Sequence, residues 1–363
     1  MHALFEPSLV NDAFGDPSLY VDFRDERRAV LFDLGDITRL LPRQLMRLSH
    51  VFVTHAHMDH FCGFDHLLRV MLGRKAGIVM FGGPDFVEQI EHKLRAYTWN
   101  VAHRYEVELV IDAREIGVGG GQHALFSSRR RFAREACASF EQSDDVVHDE
   151  ATFRVRGRFV DHDIPCVAYV IEEKARVKVA KDELAALGVS PGAWLRELKH
   201  AVLTGAPDET PIQLRWHDRD GEHAMTRQVG ELRHVILDIV PGQRIGYVTD
   251  LRDTESNVET LSQSMQDVDL LFIESVFLDE DKAHGLRKNH LTARQAGLIA
   301  RRIGARAVVP FHFSPRYEGR SAELIDEVRA AWSGTPAQPG QRPDQDTMLT
   351  LSNVDPDFKS ARN

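Results

Sequence analysis

The sequence predicts an α/β protein whose chemistry sits at one edge of its sheets, and three observations predict it. Apolar runs of strand length alternate with helical periodicities through the first third of the chain. Acidic and imidazole residues recur just after predicted strands, where α/β sheets tend to place ligand sites: Asp33, the 55–60 cluster, His162, Asp250 and His312. The hexapeptide His55-Ala56-His57-Met58-Asp59-His60 follows the apolar run Val51-Phe52-Val53 directly. Neutral imidazole and carboxylate are ligands that suit zinc and similar divalent ions. In an extended turn His55 and His57 project to one side while Asp59 and His60 can reach another, so one loop can feed two adjacent metals. A lone strand-end histidine is more often structural; clustering changes that weight.

The elements follow in order. Leu19 to Phe23 and Ala29 to Phe32 read as strands joined by the charged turn Arg24-Asp25-Glu26-Arg27. Leu40 to Leu48 has a helical pattern, and the next strand ends at Thr54. Phe64 to Leu72 is a short helix, Ile78 to Phe81 a strand, Phe86 to Tyr97 a helix and Val107 to Ile111 a strand. Gly117 to Gly121 is a glycine-rich turn without the Gly-Lys-Ser/Thr ending of a phosphate-cradling loop. Arg129 to Arg134 is the most basic short run; a solvated loop is its plain reading, RNA contact the sharper one. Phe153 to Val160 leads as a strand into Asp161-His162-Asp163, and Cys166 to Ile171 is the next strand. Residues 174–232 are charged, helical in places and broken by Pro191-Gly192, Pro207 and Pro211, which reads as an inserted arm. Strands resume at Arg244 to Thr249 and Leu270 to Ile273, with Val258 to Met265 a helix. Thr292 caps a helix to Ile303, and Ala307 to Val309 is a strand ending near His312. The chain thus divides into a hydrolase domain at 1–333, carrying the arm, and a Pro/Gly/Gln-rich linker and tail at 334–363, where Met348 to Leu351 can return to a sheet edge.

The net charge of -10 excludes a generally basic, nucleic-acid-coating protein but leaves room for a local basic patch. The three widely spaced cysteines, Cys62, Cys137 and Cys166, argue against a disulfide framework and fit a reducing cytoplasm. No signal peptide is read at the start, and no apolar stretch approaches the ~20 residues that span a bilayer. A cytoplasmic protein is expected.

Six segments in order resemble the metallo-β-lactamase superfamily, and within it ribonuclease Z, the tRNA 3′-end processing endonuclease family. They are Val30-Leu31-Phe32-Asp33-Leu34-Gly35-Asp36; Thr54 to His60; Asp161-His162-Asp163-Ile164-Pro165 running on to Glu173; Asp269 to Phe277; His290-Leu291-Thr292-Ala293-Arg294-Gln295-Ala296; and Pro310-Phe311-His312-Phe313-Ser314-Pro315-Arg316-Tyr317. The resemblance implies an αββα sandwich with the inserted arm and a two-metal site. His55, His57 and His162 would hold one ion, Asp59, His60 and His312 the other, and Asp250 would bridge. Asp33 would fix a metal-bound histidine from behind. It also implies a homodimer in which one subunit's arm presents RNA to the other's site. The chain departs from the family at Met58 (usually glycine), Leu251 (threonine) and Ile273 (histidine). It lacks the Pro-x-Lys-x-Arg-Asn loop near the tRNA end and the Gly-Pro tip of the arm, reading Val189 to Leu195 there, although Lys174, Arg176, Lys178 and Lys181 keep the arm's start basic.

The expected reaction is phosphodiester hydrolysis by two-metal-activated water, with zinc the first candidate and manganese or iron compatible. Asp59 would accept the water's proton, and His290, oriented by Glu274, would protonate the leaving 3′-oxygen. Glu274 has a plainer reading as a strand-end carboxylate bonded to backbone. Precursor tRNA is the first substrate class. A small or cyclic nucleotide phosphodiester is the second, favoured by the missing loops, and a catalytically idle metal-binding module the third. A β-lactamase or thiolesterase would leave His290 and the arm unexplained.

Overall fold

A computed structural model describes residues 4–334 apart from 25, 118, 138, 140–144, 175 and 219–220; the linker and tail expectations, including Met348 to Leu351, lie outside the described residues. The chain divides into two compact units, one of residues 172–243 with 148–154, the other of residues 5–147, 155–171 and 244 onward.

The larger unit is built on two sheets. The first runs β1 (Phe5–Leu9), β2 (Leu19–Phe23), β3 (Arg28–Phe32), β4 (Leu48–Phe52), β5 (Gly77–Gly82), β6 (Val110–Glu115), β7 (His123–Ser127) and β8 (Arg134–Ala136), in spatial as in chain order. β3 to β6 are parallel neighbours, with Phe32 opposite Phe52 and Phe52 opposite Phe81. Side chains alternate across these strands. Leu31, Val51 and Met80 face the helices α1 (Pro42–Leu45), α3 (Phe64–Met71) and α4 (Phe86–Arg95), packing with Leu45, Phe64, Phe86 and Ile90. A one-turn helix, α2 (Met58–Phe61), lies between α1 and α3 in the chain.

The second sheet has the order β18-β17-β16-β11-β10-β9. Its first members along the chain are β9 (Val146–Asp149), β10 (Phe153–Asp161) and β11 (Pro165–Glu173). The smaller unit follows, with β12 (Arg176–Val179) antiparallel to β15 (Leu237–Val240) and β13 (Pro211–Asp218) antiparallel to β14 (Gly221–Gln228). Helices α5 (Lys181–Ala186), α6 (Trp194–Leu203) and α7 (Val229–Ile236) complete it around its own buried Leu184, Trp194, Leu198, Ile212, Leu214 and Leu232. Then come α8 (Glu255–Ser264) and the parallel strands β16 (Arg244–Val248), β17 (Leu270–Glu274) and β18 (Val308–Phe311) of the second sheet. The outer face of this sheet packs on α8, α10 (Ala293–Arg302) and α11 (Ser321–Ser333) through Leu271, Leu261, Ile299 and Val328. A further helix, α9 (Lys282–Lys288), precedes α10.

Aromatic rings fill the space between the sheets. Phe32 lies 5.6 Å from Tyr169 and 5.8 Å from Tyr247, ring centre to centre, and Phe52 lies 5.7 Å from Tyr169. Helices, sheet, sheet and helices therefore stack as an αββα sandwich. Such rings each bury a large apolar area, and the sandwich holds together by this layer.

Several expectations need correction. Only Pro42–Leu45 of the Leu40 to Leu48 stretch is helical, because Leu48 already opens β4. The strand expected at Val107 to Ile111 begins at Val110. The stretch after 174 contains four strands as well as helices. The run Arg129 to Arg134 is charge-compensated: Arg129 meets Glu108 at 3.1 Å, Arg130 Glu135 at 2.7 Å and Arg134 Glu91 at 3.4 Å.

Candidate metal centre

Every predicted ligand, and Asp33 expected behind them, sits where a strand or its following turn releases the chain at one edge of the sandwich. Asp33 follows β3, the 55–60 loop follows β4, His162 follows β10, and Asp250 and His312 follow β16 and β18. Asp33, Asp250 and His312 have φ of 59°, 49° and 60°. This left-handed conformation turns the chain off the strand, and Asp, Asn and His tolerate it better than most residues. Two glycines allow the neighbouring loops to interlock. A Cβ on Gly35 would lie 2.5 Å from the Asp59 carbonyl, and one on Gly63 2.3 Å from the Gly35 carbonyl. In their place the Leu34 N–H donates to the His60 carbonyl and the Gly63 N–H to the Leu34 carbonyl, both at 2.8 Å.

The ligand atoms gather into overlapping groups: Asp250, Glu274, His290 and His312; His55, His57, His162 and Asp250; and Asp59, His60 and His312. Asp250 turns one carboxylate oxygen to each of the last two. Its Oδ2 is 3.6 Å from His55 Nε2 and 3.4 Å from His162 Nε2; its Oδ1 is 3.4 Å from His60 Nε2 and 3.1 Å from His312 Nδ1. Asp59 Oδ2 lies 3.6 Å from His60 Nε2 and 3.5 Å from His312 Nε2. Most of these separations are long for hydrogen bonds. They match the roughly 3.4 Å expected between two atoms that each lie about 2.1 Å from a common tetrahedral ion.

The histidines are held by their other nitrogens. His60 Nδ1 donates to Asp33 Oδ2 at 2.9 Å, and His162 Nδ1 donates to the Asn289 carbonyl at 2.9 Å. His55 Nδ1 meets the Thr54 hydroxyl at 3.1 Å, which in turn donates to Asp33 Oδ2 at 3.0 Å. A proton fixed on Nδ1 leaves Nε2 as a lone pair. His55 Nε2 and His60 Nε2 are buried with no hydrogen bond, and His312 Nδ1 meets Asp250 without hydrogen-bond geometry. Buried polar atoms are rarely left so. A donor set of imidazoles and carboxylates with unused lone pairs converging on two points fits divalent cations.

The electrostatics agree. Burial, with neighbouring His60, drives the His55 imidazole down to about 2, which keeps it neutral, the form able to ligate. At His60 burial opposes the charged form, but Asp250 and Asp33 overcome it and raise the imidazole to about 10. Asp250 runs the other way: burial favours its acid form, yet His60 and His312 hold the carboxyl well below its usual range. The pocket around His60 and Asp250 demands positive charge, which a proton supplies when a metal does not.

Glu274 and His290 stand beside this centre. Glu274 Oε2 accepts from His290 Nδ1 at 2.7 Å and lies 3.8 Å from His312 Nδ1. Glu274 Oε1 accepts from the Leu251 and Leu291 N–H groups, each at 3.1 Å, so the backbone-bonding reading of this carboxylate holds alongside the histidine contact. Burial would lower His290, but the Glu274 carboxylate raises it above its ordinary value. A cleft of about 360 Å³ opens on Asp59, His290 and His312 and is lined further by Phe14, Asp16, Phe277 and Lys288.

A profile described as a beta-lactamase superfamily domain matches residues 191–313. A ribonuclease Z of Deinococcus radiodurans is 28% identical over 323 residues, covering 85% of this chain and 88% of that protein. A ribonuclease Z of Haloarcula marismortui is 29% identical, covering 84% and 83%. The chain is similar to ribonuclease Z proteins over most of its length and to the beta-lactamase superfamily domain over residues 191–313. The fold agrees: the metallo-beta-lactamase fold protein YhfI of Bacillus subtilis superposes with a TM-score of 0.52 at 14% identity, covering 91% of this chain and 95% of that one.

Sequence reasoning about this ribonuclease Z-like chain missed Thr54 and Tyr247. Both are fully buried partners of Asp33, the tyrosine hydroxyl donating to Oδ2 at 3.0 Å. A lone tyrosine within a strand carries no signal that separates it from core. The departures from the family are mild in place: Met58 is 83% exposed within the loop, Ile273 is buried in β17, and Leu251 is buried in the core and donates its N–H to Glu274.

Proposed function

We propose that the chain is a metal-dependent endoribonuclease of ribonuclease Z type that hydrolyses a phosphodiester, with precursor tRNA as its substrate class. The observation that carries the proposal is the Glu274-oriented His290 set against a two-centre ligand set. Metal binding alone needs no such pair.

Divalent ions, when bound, would supply polarisation of the phosphate and activation of water. His55, His57 and His162 would hold one, Asp59, His60 and His312 the other, with Asp250 between them. Zinc is the ion that best suits these ligands, manganese and iron the next. Asp59, besides ligating, then serves as proton acceptor at the cleft. His290, its Nδ1–H committed to Glu274, offers the Nε2 proton to the leaving 3′-oxygen. Asp33 keeps His60 and, through Thr54, His55 in the tautomer that ligates. The unit containing residues 172–243 serves on this reading as the RNA-holding arm, with the arm of one copy serving the site of a second in a cytoplasmic homodimer.

A smaller substrate is favoured by one observation: the chain lacks the Pro-x-Lys-x-Arg-Asn loop and the Gly-Pro arm tip. Purified protein assayed against a precursor tRNA and against bis(p-nitrophenyl) phosphate separates the two. Endonucleolytic cleavage of the tRNA, abolished by chelator and weakened steeply by salt, supports the proposal. Cleavage of the small ester alone refutes it in favour of a small phosphodiester, and no hydrolysis of either favours an idle module.

A further inference from the structure

The stretch Asn289-His290 meets two parts of the proposed machinery at once. Asn289 is the C-terminal cap of α9, held left-handed at φ 62°. That turn aims its carbonyl at His162 Nδ1, while the next residue is His290, whose ring centre is 4.9 Å from that of His162. Asparagine is one of the few residues that adopts this conformation readily.

Arg252 fastens this stretch to the loop that carries His162. Its Nε donates to Asn289 Oδ1 at 2.9 Å. Its Nη1 donates to Asp161 Oδ2 at 3.2 Å and its Nη2 pairs with Asp163 Oδ1 at 2.7 Å, the two carboxylates flanking His162. The Arg252 N–H donates to the Asp161 carbonyl at 2.9 Å, and Asn257 clamps the same backbone, donating from Nδ2 to the carbonyls of Asp161 and Arg252. Four attachments from one side chain and one amide therefore span three chain segments: the turn after β10, the turn after β16 and the loop before α10. Only a planar fork with donors in three directions can make the side-chain set together; an ammonium cannot.

We infer that Arg252 is a positioning residue that sets His162 and His290 in one common frame, so that the imidazole expected to ligate and the imidazole expected to give a proton cannot move independently. The inference rests on the roles proposed above for those two histidines. Arg252 does not reach the ligand atoms itself. Its side chain is 31% exposed and its carboxylate partners 52% and 70%, and such exposed pairs add little to stability. A purely structural residue would show itself in unfolding; Arg252 should not.

The test compares wild type with Arg252→Ala and Arg252→Lys. Unfolding midpoints should stay close to wild type. Zinc affinity, measured by competition with a chromophoric chelator, should fall about tenfold or more, the usual effect of losing support behind a ligand. At saturating zinc, kcat on a dinucleoside monophosphate should fall by about 100-fold with KM little changed, as for a displaced reacting group. The loss on bis(p-nitrophenyl) phosphate should be at least about tenfold smaller, because p-nitrophenolate departs without a proton from His290. Arg252→Lys should resemble Arg252→Ala. Unchanged zinc affinity, equal losses on both esters, or full rescue by lysine each overturn the inference. Should wild type cleave no ribonucleotide, the ribonuclease reading fails by itself, and zinc affinity alone then decides the role of Arg252.

Discussion

Replacing Asp33 by asparagine isolates the charge of one buried carboxylate. Asparagine is isosteric and accepts the left-handed φ of 59°, so the backbone should survive. Asp33 is fully buried and accepts four hydrogen bonds: the Thr54 N–H on Oδ1 at 2.7 Å, and the Thr54 hydroxyl, His60 Nδ1 and Tyr247 hydroxyl on Oδ2 at 3.0, 2.9 and 3.0 Å. An amide has one acceptor. If its oxygen stays with the three donors, its NH₂ opposes the Thr54 N–H and strands a buried backbone donor, at a cost of about 1–3 kcal/mol. The surviving bonds lose their charge assistance, roughly half their strength. His60 then becomes a weaker base, and His55 loses support through Thr54. Loss of such support typically weakens metal binding about 10- to 100-fold, or about 1.4–2.7 kcal/mol. The assays are denaturant unfolding of metal-free protein and zinc competition against a chelator. Destabilisation with unchanged zinc affinity at both sites would refute the reasoning, because Asp33 would then be a folding residue only.

Three other outcomes are expected. Asp250→Ala should lose metal together with activity; full occupancy of both sites by native mass spectrometry would contradict the bridging assignment. His290→Ala should keep its metal while turnover on RNA drops about 10²–10⁴-fold, and an unchanged cleavage rate would remove His290 from the reaction. The third concerns pH and the metal-free protein. Burial would favour the acid form of Glu274, but His290 holds the carboxyl down at about 2, against an ordinary 4.5. A depressed carboxylate stabilises the fold above its unfolded value, and that contribution is lost as pH falls from about 4.5 towards 2. The stability penalty of Glu274→Gln should therefore be largest near neutrality and shrink below about pH 4.5; a penalty that stays flat down to pH 3 contradicts it.

Much of the candidate site was legible because metal chemistry concentrates rare residue types and α/β geometry puts them at strand ends. The 55–60 loop, His162, Asp250 and His312 each follow a run whose period marks a strand. Tyr247 and Arg252 were not legible, since their meaning lies in partners 214 residues away, in the case of Tyr247 and Asp33, or in three segments at once. Among the elements, α11 was missed although Leu324, Ile325, Val328 and Trp332 recur at helical spacing and pack on the core. Leu40, Leu45 and Leu48 all enter the core, yet they straddle a one-turn helix and a strand, so their spacing misled. In β13 burial alternates cleanly at Ile212 and Leu214, but the prolines around it masked a strand.

The three left-handed residues at the strand ends restrict how this centre can be redesigned. A change of metal preference is usually sought by exchanging ligands: cysteine for a softer ion, glutamate for a longer reach. At Asp250 and His312 each such exchange would also force an ordinary L-residue into a conformation that costs it of order 1–3 kcal/mol, and at Asp33 the support behind His60 is bound in the same way. His55, His57, Asp59, His60 and His162 are absent from the positive-φ residues and carry no such surcharge. The ligands therefore differ in what could replace them, and a laboratory lineage selected for a new metal should accumulate its substitutions at His55, His57, Asp59, His60 and His162 before Asp250 and His312.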